Sequence, residues 1–142
     1  MYSYKYPRAA LTTDAIVFVE DKNSTFILLI KRGSEPFANK WALPGGFIEM
    51  NEILETACKR ELKEETGLEV EIMTQFKTYD SINRDPRHRT ISVVYFAELQ
   101  KQKLVKGGDD AVRAEWFSLD KLPELAFDHG QILKEFFKSV RL

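Results

Sequence analysis

Glu61, Glu64 and Glu65 stand at positions i, i+3 and i+4 of the segment GFIEMNEILETACKRELKEETGL, which runs from Gly46 to Leu68. On a helix, that spacing projects all three carboxylates from one side. At about 100° per residue the same side carries Ile53, Leu54, Ala57 and Cys58, while Lys59, Lys63 and Thr66 point elsewhere. The acidic cluster therefore extends an apolar stripe, where burial is expected to deny it solvent. Two like charges about 4 Å apart repel by roughly 4 kcal/mol at an effective dielectric near 20, and a bound cation is the remaining relief. Hard carboxylate oxygens suit Mg²⁺ or Mn²⁺, and the chain has no Cys and His cluster of the kind zinc prefers. An ordinary solvated acidic face would instead interleave its glutamates with the lysines.

The residues before the cluster must hold it in place. Trp41, Ala42, Leu43, Pro44, Gly45 and Gly46 end a short apolar run with a glycine turn, through which backbone carbonyls can approach an ion closely. Asn51 is the expected N-cap of the helix, and Gly67 its C′ residue.

This segment resembles the Nudix box, G-x5-E-x7-R-E-U-x-E-E-x-G-U with U apolar. Gly46, Glu52, Arg60, Glu61, Leu62, Glu64, Glu65, Gly67 and Leu68 fill it without a departure. The resemblance implies an α/β fold, a three-layer αβα sandwich with a mixed central sheet, and hydrolysis of a nucleoside diphosphate linked to another group X. It implies that Glu61, Glu64 and Glu65 ligate divalent ions, that the Gly45 carbonyl adds to them, and that Arg60 and Glu52 hold the acidic loop and helix in place.

The rest of the chain is compatible with this. At 142 residues it has the size of a single domain, residues 1–142, able to bury roughly 68–70% of its unfolded surface. With 21 basic and 22 acidic residues it has no global field for nucleic acid or a membrane. The start, MYSYKYPRAALTTDA, lacks an apolar run suited to a signal peptide, and no stretch approaches the roughly 20 apolar residues of a membrane helix, so a cytoplasmic protein is expected. Cys58 falls on the inward side of the helix and reads as a small core residue rather than a nucleophile. Leu11 to Val19 and Thr25 to Lys31 read as a hairpin, and Val70 to Tyr79, Thr90 to Leu99 and Ala114 to Phe117 as further strands. Gly107 to Asp110 reads as a turn, and Asp128 to Val140 as an amphipathic helix. Helices on opposite faces of a sheet make three layers.

Arg84, Arg87 and Arg89 fall within six residues of the loop after the box, and guanidinium forks match phosphate oxygens. The loop is similar to the DPR-containing loop of small ADP-ribose pyrophosphatases, as are the KWALPGGFIE and AFDHGQIL runs. The resemblance implies attack of water on ADP-ribose, giving AMP and ribose 5-phosphate. Arg32 becomes a phosphate or ribose contact by the same likeness, with a solvated strand-end charge as the plain alternative. A general base is sought among the box glutamates, Asp109, Asp110 and Glu115; Asp110 is preferred. Phe18, Phe37, Trp41, Tyr79 and Phe127 are candidates for stacking on adenine, although core positions suit most of them. His129 suits a helix cap or the site.

Two rivals remain within the family, a nucleoside triphosphate pyrophosphatase and the ADP-ribose-sensing module of a transcription regulator, and a silent binding module is a third. The regulator needs a winged helix beyond the Nudix domain, for which the chain to Leu142 leaves no room by this reading. Tyr2, Tyr4 and Tyr6 alternate as an exposed strand does, and related enzymes are often dimers, so a homodimer is compatible with the sequence.

Overall fold

The β-rich run ALTTDAIVFVED forms strand β1, Ala10–Asp21, which organises the molecule. In the computed structural model, which describes residues 1–140, β1 turns through Lys22 (φ 59°) and Asn23 into β2, Ser24–Arg32. Asp21 pairs with Ser24, the two-residue hairpin expected of a polar break between β-rich runs. Then follow β3 (Trp41–Ala42), β4 (Gly45–Phe47), α1 (Leu54–Thr66), β5 (Thr74–Tyr79), β6 (Thr90–Leu99), β7 (Ala111–Ser118), a 3-10 turn at Leu119–Lys121 and α2 (His129–Val140).

The sheet is mixed, ordered β3-β2-β1-β6-β5, with β4 on β1 and β7 on β2. β1 and β6 run parallel from Ala10↔Thr90 to Val19↔Leu99. On its other edge β1 pairs first with β4, from Thr12↔Phe47 to Asp14↔Gly45, and then with β2 from Phe18↔Ile27 onward.

Both faces of the sheet are buried. Ala15 and Val17 of β1 and Leu28 and Ile30 of β2 pack with Cys58 and Leu62 of α1. Ile16, Phe18, Ile27 and Leu29 face the other way, onto Ile132, Leu133, Phe136 and Phe137 of α2. The period-two pattern of the strands thus serves two helices at once, giving an α/β fold of three layers. Phe18 and Tyr79 belong to the α2-side core, which removes them as stacking candidates. Among the described residues no helix is long and apolar enough to cross a membrane.

Three boundaries differ from expectation. The N-cap of α1 is Ile53 rather than Asn51, without a side-chain cap, because the loop before it is held by Glu52 accepting the Glu49 N–H. β5 begins at Thr74 rather than Val70, since the Met73 N–H is taken by Glu55 of α1. β7 starts earlier, at Ala111, where the Gly33 N–H reaches the Asp110 carbonyl and ties the turn to the end of β2. Gly67 closes α1 as expected, with φ 77° and its N–H on the Lys63 carbonyl.

Candidate active site

The box helix presents its carboxylates in three different environments. Glu65 is buried, at 5% exposure, Glu61 is half-buried and Glu64 is exposed. The expected buried cluster is therefore graded from core to solvent. Thr66, expected to point elsewhere, is buried and donates its hydroxyl to the Leu62 carbonyl. Ile53, expected on the buried stripe, is exposed.

Glu61 and Glu64 converge with Asp109 from the turn before β7, their oxygens within 4.8 Å of one another. Asp109 adopts φ 53°, unusual for a residue with a side chain, and thereby brings a third carboxylate to the pair from a distant turn. Hard oxygens at this spacing fit a divalent cation. Glu65 does not reach this trio; it accepts the Gly45 N–H at 2.8 Å. Its burial, only partly offset by that hydrogen bond, pushes its pKa up to about 9, so without a cation it is protonated at neutral pH. Burial likewise raises Glu61, against the opposing pull of Arg60.

Arg60 joins loop and helix. Its guanidinium donates to Glu52 at 2.6 and 3.0 Å, to Glu61 at 2.8 Å, to Glu64 at 3.3 Å and to the Phe47 carbonyl at 3.1 Å. The two glycines act through closeness rather than through a special φ, and both lie in strand β4. A Cβ on Gly46 would stand 2.7 Å from the Glu61 carboxylate; one on Gly45 would stand 2.2 Å from the Thr13 carbonyl oxygen.

Beside the trio a cleft opens where β1 exchanges β4 for β2 as its neighbour. Its lining includes Asp14, Arg32, Phe47, Arg84, Asp85, Arg87, Asp110, Phe127 and His129, with Glu61 and Asp109 at one side. Arg87 is gripped by Asp85 through two hydrogen bonds of 3.0 and 2.8 Å, and its guanidinium lies 5.2 Å from the Phe47 ring centre and 5.7 Å from that of Phe127. Burial would raise Asp85, but the hydrogen bonds from Arg87 and Thr90 outweigh it and hold the carboxyl at about 2. Arg32 lies 5.0 Å from the Phe127 ring centre and donates Nε to the Pro36 carbonyl. Burial, then the nearby Arg87, lowers its pKa. Arg32 and Arg87 are thus two cations held near one another. Both Nη atoms of Arg32 and the Nη1 of Arg87 meet no acceptor among the described residues. An anion would relieve them, as a cation would relieve the carboxylates opposite.

Other expected contacts are directed elsewhere. Arg84 lines the cleft, but its fork is occupied by Asp128 at 2.9 and 2.7 Å. Arg89 does not line it and donates to the Asp80 carbonyl. Trp41 is also outside the lining; its ring meets Phe117 at 4.7 Å on the α2 side, and its backbone pairs with residues 124–126. Glu115 is ion-paired with Arg113 in β7, away from the cleft. His129, expected to suit a helix cap or the site, lines the cleft. Spacing does not single out Phe47 or Asp14 as binding residues, because their neighbourhood forms only through long-range pairing. Cys58 is buried, and desolvation pushes its thiol up to about 12, which suits core packing rather than nucleophilic chemistry.

The Arg84–Asp128 pair locks the loop after β5 to the start of α2. Their side chains are 4% and 16% exposed, so removing one charge leaves the other buried without its partner. Arg84→Ala is expected to lower stability in urea by about 3 kcal/mol. Arg84→Lys should recover only part, because an ammonium cannot reproduce the fork.

A NUDIX domain model matches residues 10–138. The chain is 44% identical over 133 residues to the ADP-ribose pyrophosphatase of Methanocaldococcus jannaschii, covering 94% of this chain and 76% of that protein. It is 33% identical over 136 residues to the ADPR responsive transcriptional repressor NtrR of Acinetobacter baylyi, covering 93% of this chain and 54% of the repressor. The NUDIX domain of Shewanella oneidensis NrtR, solved with ADP ribose, superposes with a TM-score of 0.89 at 30% identity, over 98% of this chain and 94% of that one. The box, the αβα layers and a match spanning nearly the whole chain agree: this protein belongs to the Nudix family.

Proposed function

We propose that the protein is a Mg²⁺-dependent pyrophosphohydrolase that cleaves ADP-ribose to AMP and ribose 5-phosphate. The observation that carries this is the cleft itself, whose lining holds Glu61 and Asp109 of the oxygen trio together with the under-neutralised pair Arg32 and Arg87, flanked by Phe47 and Phe127. A diphosphate carried with a divalent cation satisfies both charge sets at once, its oxygens meeting the arginines and the cation meeting the carboxylates. The M. jannaschii relative supplies the substrate class, and the Shewanella neighbour its ligand.

Glu61, Glu64 and Asp109 are the residues suited to hold Mg²⁺ or Mn²⁺, with Glu65 and Gly45 behind them. Such an ion supplies charge neutralisation at the diphosphate and an acidified water. Arg32 and Arg87 bind and orient the phosphates, and the rings beside Arg87 offer faces for a base. Arg60 fixes the orientation of Glu61 and Glu64. Asp110 lines the cleft but lies outside the trio, which leaves its carboxylate available as the general base.

Incubation with Mg²⁺ and a panel of ADP-ribose, 8-oxo-dGTP, NADH and diadenosine tetraphosphate tests the proposal. AMP and ribose 5-phosphate should form from ADP-ribose at far higher efficiency than any other product. Preferred cleavage of 8-oxo-dGTP would transfer the assignment to nucleotide clearance. The likeness to NtrR favours sensing as a second reading, and tight ADP-ribose binding without turnover of any compound would establish it.

A further inference from the structure

Beneath the charged groups, the floor of the cleft carries two buried polar side chains that phosphate binding and the cation trio leave unused. Asp14, at the inner end of the β1–β4 pairing, and His129, the first residue of α2, both line the cleft, at 7% and 3% exposure. We infer that they form a hydroxyl-recognising subsite for the sugar X of the substrate, a specificity device that rests on the diphosphate reading above and extends it.

The geometry favours a hydroxyl over other groups. Ser92 donates its hydroxyl to Asp14 Oδ2, and among the described residues no donor forms a hydrogen bond with Oδ1. His129 Nδ1 accepts the Leu43 N–H at 3.0 Å, which places the ring hydrogen on Nε2. Nε2 lies 3.7 Å from Asp14 Oδ1, too far for a direct hydrogen bond. A donor and an acceptor thus face the same cavity side by side without satisfying each other. A hydroxyl both accepts and donates, so it can take the Nε2 hydrogen and give its own to Oδ1.

The pair is also held in place. Oδ1 rests against the backbone of β4, so that even a Cβ on Gly45 would come within 2.4 Å of it. A phosphate is a poor occupant, because it would bring negative charge onto the Asp14 carboxylate, and the neighbouring Arg84 is already committed to Asp128. A base finds its ring faces at Phe47 and Phe127 beside Arg87 instead. A neutral, hydroxylated group suits the floor. Because an unmet buried acceptor is costly, this arrangement should reject an X that lacks the hydroxyl.

The test compares ADP-ribose with ADP methylated on its terminal phosphate, which keeps the adenosine and the diphosphate ester but has no hydroxyl on X. Affinities are measured by calorimetry with cations chelated, so that no turnover occurs. Wild-type protein is expected to bind ADP-ribose at least tenfold more tightly than the methyl ester. In Asp14→Asn that ratio should fall below threefold, since an amide can present its NH₂ where an acceptor is required. Ser92→Ala, which keeps the charge but releases Oδ2, should lower the ratio at least threefold and serves if Asp14→Asn does not fold. Equal wild-type affinity for the two compounds, or a tenfold preference retained in the folded variants, overturns the subsite alone. Binding of neither compound by the wild type, in chelator and again with Ca²⁺ in place of Mg²⁺, rejects the nucleotide reading beneath it.

Discussion

Glu65→Gln is expected to reduce ADP-ribose turnover by about 10²- to 10³-fold, equivalent to about 3–4 kcal/mol of transition-state stabilisation, while the protein stays folded. The two halves of that expectation have different causes. Without a cation, burial holds Glu65 protonated at neutral pH, and an amide matches a neutral acid in shape and charge. The amide oxygen of the variant can still accept the Gly45 N–H that Glu65 accepts now. Beside a cation, however, only the ionised carboxylate supplies negative charge, and the amide cannot ionise.

Stability against pH separates these effects. The folded pKa of Glu65, about 9, lies above the ordinary value of 4.5, so the native state retains a proton that the unfolded chain releases. Its contribution is fully present below about pH 4.5 and is lost as pH rises toward 9, at no more than about 1.4 kcal/mol per pH unit. Urea unfolding in chelator between these limits should show wild-type stability falling with pH and a flatter profile for Glu65→Gln. Wild-type turnover in the folded variant would sink the metal-site role of Glu65.

Gly45→Ala and Gly46→Ala, adjacent and chemically identical, should fail in different ways. At Gly45 the new methyl meets the Thr13 carbonyl at 2.2 Å and the Asp14 Cα at 2.9 Å, backbone that cannot move without breaking β1 from β4. Overpacking of this kind costs about 3 kcal/mol or more, which at this chain length lowers Tm by roughly 10 °C. At Gly46 the methyl meets the end of the Glu61 side chain at 2.7 Å, which can swing aside. The fold then survives, but Glu61 leaves Glu64 and Asp109, and turnover should drop at least about 100-fold. Thermal melts and turnover measured together distinguish the cases; a stable, active Gly46→Ala protein would show that the position of Glu61 is unimportant.

The sequence makes the helix, its carboxylates and most strands legible, because each is encoded by spacing within one segment. The β-rich run from Leu11 to Val19 exposes β1, and Gly67 marks the end of α1 through a left-handed backbone. What spacing misses depends on partners far along the chain. Arg84 and Arg87 are near neighbours of like type, yet Arg84 is taken by Asp128, 44 positions away, while Arg87 keeps part of its guanidinium for the cleft. Asp109 and Asp110 differ in sequence by nothing that spacing can detect. The backbone φ of 53° at Asp109 sends one carboxylate to Glu61 and Glu64 and leaves the other outside that group. Trp41 reads as a stacking candidate because it is aromatic, but the pairing of β3 with residues 124–126 accompanies its turn toward Phe117.

β1 is flanked by β6 from Ala10 to Val19 on one edge and, on the other, by β4 at Thr12 to Asp14 and by β2 from Phe18 onward. Its amides therefore belong to the region where isotope exchange with solvent is slowest, whereas β5, on the outer edge, has one neighbour and opens more readily. Asp14 is carried by β1 and Gly45 is paired with it, so the floor of the cleft is expected to persist through partial openings at the outer edge of the sheet. The surface on which a ligand would rest is thus expected to be among the last parts of the molecule to exchange with solvent.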